Sequence, residues 1–141
     1  MDRRGVFRGT LAAAAGWFGV ARAVGEERAP MKVVYHLSDF DKADFVLHNM
    51  RVHYEHATGP TTLALVVHGP AVRAFHRDGS GVTQERFAGL SKRGVTPYIC
   101  AVALRGHNME EKDLTPGFQV VEAGTVRLAE LQRDGYLYIR P

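Results

Sequence analysis

The chain has 141 residues, enough for one domain with its own hydrophobic core. Hydrophobic residues make up 45% of it, as in ordinary globular proteins, and no apolar run has the length of a membrane-spanning helix. The formal charge of +3 comes from residues 1–23, which hold four arginines against one aspartate. The rest of the chain is close to neutral, so its charge gives no indication of nucleic-acid binding.

Residues 1–23 have the organisation of an export signal. Basic residues come first, an apolar stretch follows over residues 9–20, and residues 21–23 form the triplet Ala-Arg-Ala of a cleavage site. The Arg3-Arg4 pair is typical of twin-arginine export. We therefore expect a periplasmic protein with no membrane segment in its mature form, the alternative being an uncleaved amphipathic anchor or a disordered leader.

The remainder predicts a polar linker at residues 24–31 and one α/β domain at residues 32–141. Apolar, β-branched or aromatic runs predict strands, and helical spacing of apolar residues predicts helices between them. The strands are expected at 32–37, 62–68, 95–101, 118–121 and 136–139, and the helices at 41–57, 71–76, 83–92 and 125–134. This alternation with short connections predicts a three-layer α/β/α fold with a mainly parallel five-stranded sheet.

Three residues with chemically useful side chains lie near the ends of the first three predicted strands. They are His36, His68 and Cys100. Because ligands of parallel sheets bind at the carboxyl ends of the strands, we expect the three to meet at one rim of the sheet. His107 follows Cys100 in a polar segment, 105–116, predicted to be a loop with a helical turn at 109–112, and is the third histidine with a plausible reach.

Cys100 is the only cysteine, so it cannot form a disulfide within the chain. It is an inert packing residue, a partner for another chain, or a nucleophile. A neighbouring histidine would favour the last by taking the thiol proton. The residues alone leave these alternatives open.

Motifs for other chemistries are missing from the sequence. There is no dinucleotide-binding glycine motif, P-loop or nucleophile elbow. The histidines of the first predicted helix lack the spacing of zinc-binding helices and predict a solvated helix face; they are His48, His53 and His56. The acidic residues near the start of that helix, Asp39, Asp41 and Asp44, predict capping of its N-terminus. We expect neither a metal nor a cofactor.

The segment Tyr-Ile-Cys-Ala-Val-Ala-Leu-Arg-Gly at residues 98–106 resembles the cysteine segment of the DsrE/TusD group of sulfur-relay proteins. Segments 32–37, 66–70 and 136–141 resemble the broader DsrE/DsrF-like family. The resemblance implies a DsrE-like fold, assembly into trimers or hexamers, and a persulfide on Cys100. Its implied partners are small sulfur compounds or another sulfur carrier.

Relay members of that family work in the cytoplasm, so an exported member is not expected to serve tRNA thiolation. The expectation is therefore a single-cysteine sulfur carrier, similar to a sulfurtransferase, in periplasmic sulfur metabolism. The alternative is a non-catalytic oligomeric module for binding or assembly, in which Cys100 is merely packed.

Overall fold

The computed structural model describes residues 28–141. The expected export signal and most of the linker lie outside the described residues. Within them, no helix is long and apolar enough to cross a membrane. The strands are β1 (Met31–Leu37), β2 (Thr61–Val67), β3 (Thr96–Cys100), β4 (Gln119–Val121) and β5 (Leu137–Ile139). The helices are α1 (Ala43–His56), α2 (Gly81–Lys92), α3 (Ala101–Gly106) and α4 (Gly124–Arg133), with short 3-10 helices at Phe40–Lys42, Gly69–Phe75 and Glu111–Asp113.

The five strands form one sheet in the order β4-β3-β2-β1-β5. Every neighbouring pair is parallel, which confirms the predicted parallel five-stranded sheet. β1 and β2 share the longest register, in which His36 pairs with Val66. Their burial explains their apolar composition, since central parallel strands are covered on both faces.

The order of the strands decides which face each helix covers. From β1 to β4 the chain moves steadily toward one edge, and the last connection crosses back to β5 at the other edge. Right-handed crossovers in opposite directions place their helices on opposite faces. Accordingly α1, α2 and α3 contribute to one core cluster, whereas Leu128 and Leu131 of α4 pack with Val34, Val66 and Tyr98 in another.

The core on the α1–α2 face is the larger one. It includes an aromatic group in which Phe75 and Phe87 are fully buried and Phe118 stacks on Phe87 with ring centroids 4.5 Å apart. Among residues 28–141, α4 is the only helix that covers the opposite face of the sheet. That face therefore leaves room for polar side chains at the carboxyl ends of the strands.

Two local expectations were wrong in position. The third strand ends at Cys100 and a helix, α3, starts at Ala101, where the sequence predicted the end of a strand and then a loop. The run Ala-Val-Ala-Leu is apolar enough for a strand, but alanine and leucine are strong helix formers. The last helix begins at Gly124 after Ala123, not after the predicted cap Thr125.

Candidate functional site

A row of polar side chains crosses the carboxyl ends of four neighbouring strands on the α4 face. Side chains alternate between the faces of a strand, so His36 and His68 project to the same face as Val34 and Val66, which pack under α4. Cys100 lies two residues after Tyr98, which also packs under α4, so the Cys100 side chain projects to this face as well. The structure thus brings the three residues expected at the rim onto one face of the sheet.

His36 and His68 are in direct contact. Their Nε2 atoms point at each other within hydrogen-bonding distance, and their rings are stacked with an interplanar angle of 17°. On its other side, His36 Nδ1 lies 2.5 Å from the hydroxyl oxygen of Tyr138 on β5. Tyr138, His36 and His68 therefore form a continuous hydrogen-bonded row, which we call the histidine row.

Burial keeps the histidine row uncharged near neutral pH. His36 is only 9% exposed, and this burial is the main reason that its pKa falls to about 4, with His68 contributing further. Burial also lowers the pKa of His68. The positive charge of Arg140 lowers the pKa of both histidines, and the negative charge of Asp39 raises the pKa of both.

Arg140 and Asp39 form a small polar cluster beside the row. The Arg140 guanidinium donates a hydrogen bond to Ser38 Oγ at 2.9 Å and lies 3.5 Å from the Asp39 carboxylate. Asp39 precedes a 3-10 helix, but its side chain makes no capping hydrogen bond there. The expected capping role of Asp39 is therefore wrong, and its carboxylate pairs with Arg140 instead.

Cys100 ends β3 and is the N-cap residue of α3. Its Sγ accepts a hydrogen bond from the Ala103 backbone N–H at 3.4 Å and donates one to the Glu122 carbonyl oxygen at 3.8 Å. The residue is 6% exposed. The expectation of a thiol exposed at a pocket is thus not met, although Glu122 lines a neighbouring cavity of about 410 Å³ between β4 and α4.

Gly124 holds the start of α4 against Cys100 and His68. A Cβ atom at this position would lie 3.0 Å from the Cβ of His68 and 3.2 Å from the Cβ of Cys100. Both Cβ atoms are attached directly to the backbone, one at the end of β3 and one just after β2, so they can move only slightly. The absence of a Cβ on Gly124 therefore lets α4 pack closely against the backbone at both His68 and Cys100.

The structure places His107 apart from this group. It follows the last turn of α3, so that the length of the helix separates it from Cys100, and none of the hydrogen bonds of the described residues joins its side chain to the row. In contrast, Tyr138, Gly124 and Arg140 belong to the site and were missed. Tyr138 lies two residues after Tyr136 in the sequence, but only the pairing of β5 with β1 places it next to His36.

The described residues offer no ready metal centre. No group of three or more His, Cys, Asp and Glu side chains among residues 28–141 is arranged to hold an ion. On α1, His48 and His56 are exposed, whereas His53 bonds through Nδ1 to the Tyr35 hydroxyl at 2.9 Å. The expected solvated helix face therefore holds for two of the three.

The fold matches two solved structures over nearly their whole length. The protein of unknown function MTH1491 from Methanobacterium thermoautotrophicum has a TM-score of 0.72 and 26% sequence identity, covering 79% of this chain and 99% of that one. The YchN protein from E. coli has a TM-score of 0.62 and 16% identity, covering 80% and 100%. No protein among the curated sequences matches the chain.

The sequence itself matches a protein family over most of its length. Residues 28–141 match the DsrE/DsrF-like family, and this span includes every strand of the sheet, the histidine row and Cys100. Both solved relatives share the three-layer architecture. The chain therefore belongs to the DsrE/DsrF-like family.

Proposed function

We propose that this protein carries sulfane sulfur as a persulfide on Cys100, in sulfur metabolism outside the cytoplasm. Membership of the DsrE/DsrF-like family supports a role of the sulfur-relay type. Cys100 is the only thiol in the chain, so a cycle between two cysteines of one subunit is excluded. A single thiol that accepts and donates one sulfur atom is the relay chemistry that remains.

The observation that carries this proposal is the setting of Sγ at the start of α3. The Ala103 N–H donates to the sulfur, and backbone N–H groups at a helix start stabilise a negatively charged atom there. The exposed Arg105 adds a positive charge on the next turn, where it pairs with Glu122 at 2.5 Å. A hydrogen-bond donor and a guanidinium therefore lie near the sulfur that would carry the transferred sulfur atom.

The transfer step needs no outside oxidant. The Cys100 thiolate attacks the outer sulfur of a donor persulfide, a new S–S bond forms at Sγ, and the donor's S–S bond breaks. The donor leaves as a thiolate, so that the charge and the oxidation level of the transferred sulfur are unchanged. Thiosulfate reacts in the same way and leaves as sulfite. Small sulfur compounds or a partner sulfur carrier therefore both qualify as donors.

Mass spectrometry of the intact protein tests the proposal. After incubation with polysulfide or thiosulfate, the wild type is expected to gain whole sulfur atoms that a reductant removes. Cys100→Ser preserves size and is the matched control, which should gain none. Equal gain by both proteins would refute the assignment to Cys100.

The burial of Cys100 favours one second candidate, a non-catalytic binding or assembly module. At 6% exposure the thiol resembles a packed core residue, as free cysteines often are. This candidate predicts a native thiol that does not react with iodoacetamide and a Cys100→Ala variant that folds and functions normally. A thiol that loads sulfur in the native protein contradicts it.

We also propose that the protein forms a homo-oligomer through the α4 side of the sheet. Val126 on α4 is 56% exposed, and Tyr138, which projects from the edge strand β5 to the same face, is 43% exposed. Exposed apolar side chains on a thinly covered sheet face suit a subunit contact. Light scattering after size-exclusion chromatography should give a mass above one subunit, and Val126→Glu should lower it.

A location in the periplasm is proposed from residues 1–23 alone. Cell fractionation of the full chain should recover the mature protein in the periplasmic fraction, with an N-terminus after residue 23. A chain in which Arg3 and Arg4 are both replaced by lysine is the control for the twin-arginine route and should stay in the cytoplasm. Recovery of unprocessed wild-type chain from the cytoplasm would contradict the proposal.

A further inference from the structure

We propose that the facing Nε2 atoms of His36 and His68 bind a monovalent metal ion that takes two ligands, namely Cu(I), for which Ag(I) serves as the probe. The two imidazoles are the ligands, and Tyr138 is a positioning residue that holds the ring of His36. The site goes beyond the proposed sulfur carriage and is independent of it, because no atom of Cys100 takes part.

The backbone of the two central strands holds both histidines in place. His36 lies in β1 and pairs with Val66 on β2. The His68 backbone N–H donates to the carbonyl oxygen of Leu37 at 3.1 Å, which ties the end of β2 to β1. Both ligands are therefore positioned before an ion binds, and this lowers the entropic cost of binding.

The two rings approach each other through the nitrogens that would bind the ion. The Nε2 atoms lie within hydrogen-bonding distance of each other, whereas the ring centroids are 4.6 Å apart and the ring planes differ by 17°. Without metal, the two nitrogens share one proton. An ion takes the place of this proton when the rings separate slightly, which is open to His68 because it is half-buried and follows the end of β2. Each neutral ring then keeps its one proton on Nδ1.

Tyr138 supports the form of His36 that metal binding requires. Its hydroxyl oxygen lies 2.5 Å from His36 Nδ1 and can accept a hydrogen bond from an Nδ1 proton. With the proton held there, Nε2 has a free lone pair. Metal-binding histidines commonly donate their other ring N–H to an oxygen in this way. Tyr138 is also 43% exposed, so this end of the row is open to solvent.

The number of ligands selects the kind of ion. Among residues 28–141, no group of three or more His, Cys, Asp and Glu side chains is arranged around an ion. The two imidazoles therefore do not provide the four ligands that zinc takes in structural sites. Imidazole suits copper, and Cu(I) and Ag(I) both accept two ligands in line.

The charges around the site also favour a monovalent ion. Both ligands are neutral, and the nearby charges of Arg140 and Asp39 oppose each other and pair at 3.5 Å. His36 is only 9% exposed. A divalent ion bound here would keep its charge in a partly desolvated place, which is costly without anionic ligands. A single positive charge lowers that cost.

Titration of a Cys100→Ala chain with silver nitrate tests the site, because this variant lacks the thiol that would compete for silver. Calorimetry in chloride-free buffer should show one ion bound per subunit. Adding His68→Gln should abolish this binding. His56→Gln is the matched control, since His56 is exposed on α1, and should bind silver like the parent chain. Equal silver affinity with and without His68→Gln would overturn the proposal.

Nitrogen NMR of the Cys100→Ala chain keeps the test independent of whether a histidine variant folds. The Nε2 signals of His36 and His68 should shift together on addition of silver and stop changing at one equivalent. The signals of His56 should change little over this range. Absence of a shift at His36 and His68, or saturation of another histidine before them, would refute the site.

Tyr138→Phe in the Cys100→Ala chain separates a positioning role from a structural one. It should weaken silver binding by about 10- to 100-fold while the stoichiometry stays at one ion per subunit. An unchanged affinity would remove Tyr138 from the site.

The identity of the ion is tested with copper and zinc. X-ray absorption of the Cys100→Ala chain loaded anaerobically with Cu(I) should show two nitrogen neighbours and no sulfur. A sulfur neighbour would place the ion on a methionine instead. Zinc that binds the two histidines more tightly than silver does would overturn the assignment to a two-coordinate ion.

Discussion

The hydroxyl oxygen of Tyr138 lies 2.5 Å from Nδ1 of His36, although 102 positions separate the two residues in the chain. The contact exists because β5 joins the sheet beside β1 rather than beside β4, with Tyr138 paired to Val34. This pairing completes a polar row on a sheet face that is otherwise apolar.

Lowering the pH should destabilise the protein through His36. Its pKa in the folded state is about 4, below the value of 6.5 for a free histidine, so the unfolded chain takes up the proton first. The contribution of His36 is fully present above pH 6.5 and is lost as the pH falls through about 4. We expect a loss of about 1 to 3 kcal/mol in the free energy of unfolding across this window.

Urea unfolding between pH 4 and pH 7.5 measures this effect. His36→Asn keeps a polar group but no titration, so its stability should change less with pH than that of the wild type. His56→Asn is the control, because His56 is exposed at the end of α1. Parallel pH profiles for the wild type and His36→Asn would show that His36 is not responsible.

Gly124→Ala should destabilise the fold. The added Cβ would lie 3.0 Å from the Cβ of His68 and 3.2 Å from that of Cys100, so α4 or these neighbours must shift slightly to accommodate it. Overpacking of this kind costs about 1 to 3 kcal/mol. Urea unfolding should show this loss together with altered thiol reactivity.

Gly89→Ala on α2 is the matched control for that substitution. Its added Cβ would meet no atom within 4 Å, and alanine is the better helix former. We expect its stability to rise by up to about 1 kcal/mol. A Gly124→Ala protein as stable as the wild type would mean that the close approach of α4 is unimportant.

The aromatic group of the larger core should dominate stability. Phe87 is 1% exposed and contacts both Phe75 and Phe118, so Phe87→Ala is expected to cost about 3 to 5 kcal/mol. Phe45→Ala removes the same side chain from a position that is 52% exposed and should cost less than about 0.5 kcal/mol. Similar losses for the two variants in thermal unfolding would contradict the described packing.

Arg105→Gln should slow the reaction of Cys100 with alkylating reagents without changing the stability of the fold. The ion pair of Arg105 with Glu122 is exposed, so its loss should leave the free energy of unfolding almost unchanged. Removing a positive charge near the thiol should nevertheless slow alkylation of Cys100 at low salt, and added salt should reduce the difference. A rate equal to that of the wild type at low salt would exclude a role for this charge.

The fold could be predicted from the sequence because its signals are local. Continuous apolar runs such as that of β2 and helical spacing such as that of α1 predict a parallel sheet with covering helices, since each pattern reflects burial along one element. The position of Cys100 at a strand end could be predicted for the same reason. The helix α3 could not be predicted from the sequence, because an apolar run of four residues is compatible with either a strand or a helix.

The sequence alone determined the strands, their parallel sheet and the presence of a single thiol at its rim. Tertiary structure decided which side chains meet there. Tyr138 reaches His36 only through the crossing of β4 to β5, and Gly124 brings α4 against Cys100 only because the helix packs on that face. Contacts between residues far apart in the chain depend on strand order and register, and no local pattern encodes either.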